Sequence, residues 1–379
     1  MKLSPFYSPM KNLYQRLTYL FFFFFINCCI SCSLKKNKIV EFKVLDNSYL
    51  DEKRVSEEKN SLKVVLKSAN IYGFFTDITV VDSILICGNL RSPMLISVYS
   101  LNSDTLIKEV IVRGTDFGQG LSISNLYIQK NTDSSFVWAY DITLGKIFKI
   151  DMGRIATDMK YFPEEKFELK EKLKNIVTPQ LISDSILMGT TYSLNDCRYA
   201  YANKKSILKK IGKLPDVSNN EFLADPPNTK LPNKSWIFKA LTTKHPFQNK
   251  VALFYCKSNR AEFYIDDRLV KVSNGNETFG PKMSIKKLKN GYTVDDCEET
   301  IFGFLSVSST SNLIFGLYSG KKNYKTSSNT VLVFDWLGNF RKKIILNKEV
   351  CKIFFDEKRN ILYCYENTEN GILSATLEF

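Results

Sequence analysis

Apolar positions in this chain cluster into short runs rich in Ile, Val, Phe and Tyr, each closed by a polar turn. Runs of this length and composition predict β-strands rather than helices. Tested for recurrence, they fall into six similar groups. An inner strand is expected at Phe74–Val80, Leu121–Ile128, Ile176–Ile182, Trp236–Leu241, Ile301–Val307 and Val350–Phe355. A second follows at Ser83–Gly88, Ser135–Asp141, Ser185–Thr190, Val251–Cys256, Asn312–Tyr318 and Asn360–Tyr365. A third follows at Leu95–Leu101, Leu144–Asp151, Arg198–Ala202, Arg260–Asp266, Val331–Trp336 and Ile372–Glu378. Recurrence at roughly 45–65 residues suits the blades of a propeller, each a four-stranded sheet. The expected fold is therefore all-β, a six-bladed β-propeller over residues 62–379.

The last group ends at Phe379 after three strands, which leaves its outer edge unpaired. Lys38–Leu45 has β-type alternation (Ile39, Val40, Phe42, Val44) and precedes a charged linker, Asp46–Asn60. Pairing this N-terminal strand with the last blade would close the ring and remove an exposed edge. Three segments interrupt the pattern. Pro163–Asn175, rich in Lys and Glu, is expected to be a short helix. Asp216–Ser235, with Pro226, Pro227 and Pro232, reads as an irregular loop suited to partner contacts, and Lys321–Asn329 as a hairpin tip.

Ahead of the strands, Leu17–Ile30 is a continuous apolar stretch containing Phe21–Phe25, preceded by Lys2, Lys11 and Arg16 without an acid. It fits a secretory signal and is short for a membrane span. Ser31 before Cys32 is small enough for signal cleavage, which makes Cys32 the acylated first residue of a mature lipoprotein. Residues 1–31 are the expected signal peptide, starting at Met1 or Met10, and 32–61 the tether, closing strand and linker. Removing 1–31 lowers the net charge from +14 to about +11. The remaining basic residues are dispersed and form no nucleic-acid motif, so no nucleic-acid partner is expected. Beyond Cys32 there are Cys87, Cys197, Cys256, Cys297, Cys351 and Cys364. None has CxxC or zinc-ligand spacing, and the expectation is small buried hydrophobes with any pairing left open.

The candidate chemistry is sparse. Ser-His-Asp or Cys-His catalysis needs a positioned imidazole, and the one histidine, His245, lies in a Lys-rich turn that reads as surface. A histidine-based metal site lacks a second ligand, and no metal or cofactor is expected. Asp295-Asp296-Cys297-Glu298-Glu299 lacks EF-hand spacing and reads as an interblade loop, and Asp266-Asp267 as a turn. Gly114, Gly118 and Gly120 precede a strand rather than a helix, which excludes a phosphate-cradling loop. They read as a blade-to-blade turn that could offer Arg113, Asp116 and Gln119 to a ligand or partner.

That turn, Arg113-Gly114-Thr115-Asp116-Phe117-Gly118-Gln119, resembles the Arg-Gly-x-Gly-Pro-Gly-Glu loop of the TolB-like six-bladed propeller lipoproteins of bacteria. Asp116, Phe117 and Gln119 replace Gly, Pro and Glu of that loop. The turn Tyr140-Asp141 followed by Ile147-Phe148-Lys149-Ile150 is similar as well. The resemblance implies an envelope propeller of undefined activity with no assigned catalytic set. The expected function is a lipid-anchored binding or scaffold module of the cell envelope, an outer-membrane lipoprotein facing periplasm or cell surface. Its expected partners are the membrane, through acyl chains such as palmitate on Cys32, and an envelope protein or glycan. The competing expectation is an envelope carbohydrate-active hydrolase or lyase using carboxylates in the central funnel, with Asp77, Asp141, Asp335 and Glu366 available.

Overall fold

Alternate residues of a strand point to opposite faces, so strands buried on both faces must be apolar throughout. This condition is met in the computed structural model, which describes residues 38–41, 61–64, 67–130, 135–169, 176–191, 196–215, 233–274, 279–288, 291–322 and 326–378. Six antiparallel sheets succeed one another along the chain. Blade 1 comprises Phe75–Val81, Ile84–Asn89, Met94–Ser100 and Thr105–Val112, and blade 2 comprises Ile123–Lys130, Ser135–Asp141, Lys146–Asp151 and Glu164–Glu168. Blade 3 is Ile176–Ser183, Ile186–Thr191, Tyr199–Ala202 and Ile207–Ile211, and blade 4 is Ala240–Lys244, Lys250–Tyr255, Ala261–Ile265 and Arg268–Ser273. Blade 5 is Ile301–Ser309, Leu313–Lys322, Ser328–Asp335 and Phe340–Val350, with Ser61–Val64 added in parallel to its outer edge. Blade 6 is Lys352–Asp356, Ile361–Glu366 and Gly371–Thr376, completed by Lys67–Tyr72. Five of the six expected inner strands are present within two residues of their expected bounds, and the fourth, expected at Trp236–Leu241, begins at Ala240.

The core lies between blades rather than inside one sheet pair. Leu253 and Tyr255 pack toward blade 3, while their neighbours Ala252 and Phe254 pack toward blade 5. Phe254 meets Phe304 edge-on at 4.8 Å, and Phe315 stacks on Phe355 at 4.3 Å across the seam of blades 5 and 6. Aromatic pairs in these geometries add about 0.5–1.5 kcal/mol beyond area burial. At Gly303 a Cβ would sit 1.9 Å from the Ser258 carbonyl oxygen, so only glycine lets blade 5 approach the blade 4 loop that closely.

Four expectations need correction. The ring is closed by an N-terminal strand, but it is Lys67–Tyr72. Lys38–Glu41, the described part of Lys38–Leu45, lies instead beside the hairpin Lys282–Leu288 and Gly291–Asp295, with Val40 in the core around blades 3 and 4. The expected helix within Pro163–Asn175 is, over Glu164–Glu168, the outer strand of blade 2; Glu164 and Glu168 are exposed, while Glu165 turns in to pair with Lys146 at 3.1 Å. Trp236 belongs to a helical turn, Lys234–Ile237, capped by Asn233, and not to the inner strand of blade 4. His245 is buried rather than on the surface: its ring lies 5.1 Å from Trp336, and Nδ1 accepts from the Phe247 and Gln248 N–H groups. Burial, followed by Lys250, holds its pKa below the ordinary value, as an imidazole that accepts two backbone bonds requires. Cys32 and residues 216–232 lie outside the described residues. No helix among the described residues is long and apolar enough to cross a membrane.

Candidate functional site

The six inner strands enclose a channel of about 250 Å³. They stand too far apart to pair backbone to backbone, so short polar side chains bridge the seams. Thr178 Oγ1 of blade 3 accepts the Thr242 N–H of blade 4 at 2.7 Å. Ser306 and Ser308 of blade 5 accept the Ile353 and Phe355 N–H groups of blade 6 at 3.2 and 2.9 Å. Asp77 of blade 1 makes the corresponding bond to blade 2, Oδ2 accepting the Leu126 N–H at 2.8 Å. The hydroxyls that make the channel wall polar are thus mostly committed to holding the ring together.

Asp77 differs from its counterparts in charge. A β-bulge between Phe75 and Asp77 turns the carboxylate toward blade 2 and the channel. Loss of hydration there raises its pKa above the usual aspartate value, against the lowering effects of the Lys352 ammonium and the Leu126 and Ile78 N–H groups. Lys352 reaches from the first position of the blade 6 inner strand. Asn125 precedes Leu126 in blade 2 just as Lys352 precedes Ile353 in blade 6, so both occupy equivalent positions beside a bridging bond. Gln180 of blade 3 also lines the channel, its Nε2 donating to the Thr242 carbonyl at 3.3 Å.

The remaining carboxylates proposed from sequence lie elsewhere. Asp141 accepts from the Leu121, Ser122, Thr143 and Leu144 N–H groups and organises a turn of blade 2. Asp335 binds the Leu337 and Asn339 N–H groups and Arg341, and Glu366 the Thr368 and Glu369 N–H groups. Asp356 and Glu357 do line the channel, but Asp356 holds the Lys358 N–H and Glu357 holds Ser311. The structure therefore does not bring Asp77, Asp141, Asp335 and Glu366 together. Asp77 was identifiable as a charge inside an apolar run, and Lys352 carried the same signal within Val350–Phe355.

The glycine-rich loop follows the outer strand of blade 1. Arg113 donates to the carbonyls of Leu90, Ser92 and Leu121, and Gln119 Oε1 accepts the Asp116 N–H at 3.3 Å. Beneath it the buried Lys146 ammonium donates to the Thr115, Asp116 and Gln119 carbonyls. Asp116 and Phe117 are exposed. The six cysteines beyond Cys32 are all free thiols, with Cys87, Cys197 and Cys364 buried. Asp296 of the acidic cluster pairs with buried Lys257 at 2.7 Å, as an interblade loop allows, and Asp266 and Asp267 form a turn with positive φ at both.

No curated protein matches the chain. Among solved structures, a DUF4221 family member from Bacteroides vulgatus is 9% identical with a TM-score of 0.48, over 90% of this chain and 98% of that one. An exported protein of Bacteroides fragilis is 11% identical with a TM-score of 0.47, over 84% of this chain and 99% of that one. Raptor of Chaetomium thermophilum is 10% identical with a TM-score of 0.47; the match covers 85% of this chain but only 30% of Raptor. The TolB-like 6-blade propeller family matches residues 54–358, spanning all six inner strands. The chain belongs to the TolB-like six-bladed propeller family.

Proposed function

We propose that this protein is a binding module held at the cell envelope by acyl chains on Cys32, with the propeller presenting its channel and rim loops to an envelope protein or glycan. The observation that carries this reading is the state of the carboxylates. Hydrolysis or elimination at a sugar by the usual route needs two acids flanking one bond. Here Asp141, Asp335 and Glu366 are held in turns. Of the acids lining the channel among the described residues, Asp77 accepts the Leu126 N–H, Asp356 accepts the Lys358 N–H and pairs with Arg359 at 3.9 Å, and Glu357 holds Ser311 with both oxygens. Contact groups without an acid–base pair suit recognition rather than turnover. A propeller has the rigidity for that role, since its loops are fixed by packed blades.

The anchor follows from sequence: a basic start, an apolar run and Ser31 before Cys32. Each buried acyl methylene contributes about 0.8 kcal/mol, so more than one chain gives stable attachment to the outer membrane. The test is fractionation of cells producing Cys32→Ala. The variant should move from the membrane to the soluble fraction with its melting temperature unchanged, and full membrane retention would refute the anchor. Proximity labelling from the anchored wild type then identifies the envelope partner.

A further inference from the structure

Three of the six seams are bridged by the same bond, an acceptor side chain on one inner strand and an N–H on the next. At two of them a hydroxyl suffices, from Thr178 and Ser306. Blade 1 uses Asp77, although the bond to Leu126 engages only Oδ2. A desolvated carboxylate is a costly replacement for a hydroxyl where one accepted hydrogen bond is all the fold needs. Asp77 lines the channel together with Lys352, Asn125 and Gln180, and the Lys352 ammonium is near enough to act on its carboxyl.

We propose that Asp77, Lys352, Asn125 and Gln180 form a binding site in the channel for a neutral, polyhydroxylated ring, a saccharide of one hexose unit or slightly more. This deepens the binding-module reading above and rests on it. The assignment follows from charge and from hydrogen-bond capacity. Asp77 and Lys352 have opposite signs and no direct ion pair joins them among the described residues, so a net anion would meet Asp77 and a net cation would meet Lys352. Asn125 Oδ1 accepts from Ser124 and Gln180 Nε2 donates to Thr242, which leaves Asn125 Nδ2 as a donor and Gln180 Oε1 as an acceptor. The site therefore presents two donors and two acceptors from four blades. Hydroxyl groups both donate and accept, so a ring of them can satisfy all four in any orientation and brings no further charge into the channel, whereas a zwitterion fits only with its ammonium at the two acceptors and its carboxylate at the two donors. The channel's 250 Å³ far exceeds the about 10–15 Å³ that one water needs on the same measure, which leaves room for one such ring.

The test is isothermal titration calorimetry on the full chain in detergent. The probes are D-glucose, N-acetylglucosamine and maltose, with L-alanine and inorganic phosphate as zwitterion and anion. At least one sugar should bind in the millimolar range or tighter, with neither L-alanine nor phosphate competing. Asp77→Asn keeps an oxygen for the Leu126 N–H, so it should fold normally and bind that sugar at least tenfold more weakly; Lys352→Met, which breaks no bridging bond, should do the same. Absence of heat with all three sugars overturns the proposal, as does preferential binding of L-alanine or phosphate, or a sugar affinity that neither substitution changes. None of these results touches the anchored-module reading, which membrane fractionation and proximity labelling test separately.

Discussion

At the scale of single residues, Asp77 allows function and stability to be separated. Its bridging bond to Leu126 needs an acceptor, which asparagine also provides. Burial raises its carboxyl pKa in the folded protein above the value of an unfolded chain. Below the unfolded pKa of about 3.9, both states are protonated and the group does not affect stability differently from a neutral amide. As pH rises, the unfolded chain ionises first, and the folded form loses relative stability through the window up to its own raised pKa. Asp77→Asn is therefore expected to melt slightly above wild type at pH 7, on the order of 2 °C, with the gap closing toward pH 3.5. Scanning calorimetry at the two pH values checks this. A variant markedly less stable than wild type at pH 7 would show that the carboxylate serves the fold.

At the scale of elements, Lys146 shows how a loop that resembles a family motif is held by what lies beneath it. Its ammonium pairs with Glu165 at 3.1 Å and donates to three carbonyls of the loop, all with the lysine almost fully buried. Glu165 also accepts the Gly118 N–H at 2.7 Å. Lys146→Met should destabilise by about 3–5 kcal/mol, because it leaves a buried carboxylate and several carbonyls without a partner, and Lys146→Met with Glu165→Gln should recover part of that loss. Urea unfolding with limited proteolysis of the 113–120 loop measures both, and a loss under about 1 kcal/mol would place the loop's rigidity elsewhere. Elements of this blade also show what the chain discloses in sequence. The second strands of the blades were legible because both faces are buried, which forces apolar runs such as Val137–Tyr140. Glu164–Glu168 and Lys67–Tyr72 were not, since outer strands face water and the closing strand buries only Ile71 deeply. The channel site was half legible: Asp77 could be named as an acid, but its neighbours Asn125, Gln180 and Lys352 come from other blades, and no periodicity reports which residues share a seam.

At the scale of the whole molecule, the ring is a chain of nearest-neighbour interfaces, with one hydrophobic cluster at each seam. A ring of this kind opens first where its covalent continuity is broken. That place is blade 6, whose three C-terminal strands are completed by Lys67–Tyr72 from the other end of the propeller. Five seams join blades that follow one another in sequence, whereas blades 6 and 1 are tied by Ile71 in the core they share, by the Asp82–Lys358 ion pair at 3.0 Å and by the closing strand. The ion pair is exposed and contributes at most about 1 kcal/mol, so the strand pairing must supply most of the latch. Lys67 and Ser374 are antiparallel partners on the two sides of it, and neither is buried. Such partners have the Cα separation that a disulfide requires. Oxidised Lys67→Cys/Ser374→Cys should run faster than its reduced form on a denaturing gel, because the crosslink encloses nearly the whole propeller. It should also melt above the reduced form, with a gain of up to about 4–5 kcal/mol from loop closure. Equal melting of the two forms would mean that the ring yields at another seam before the closing strand leaves blade 6.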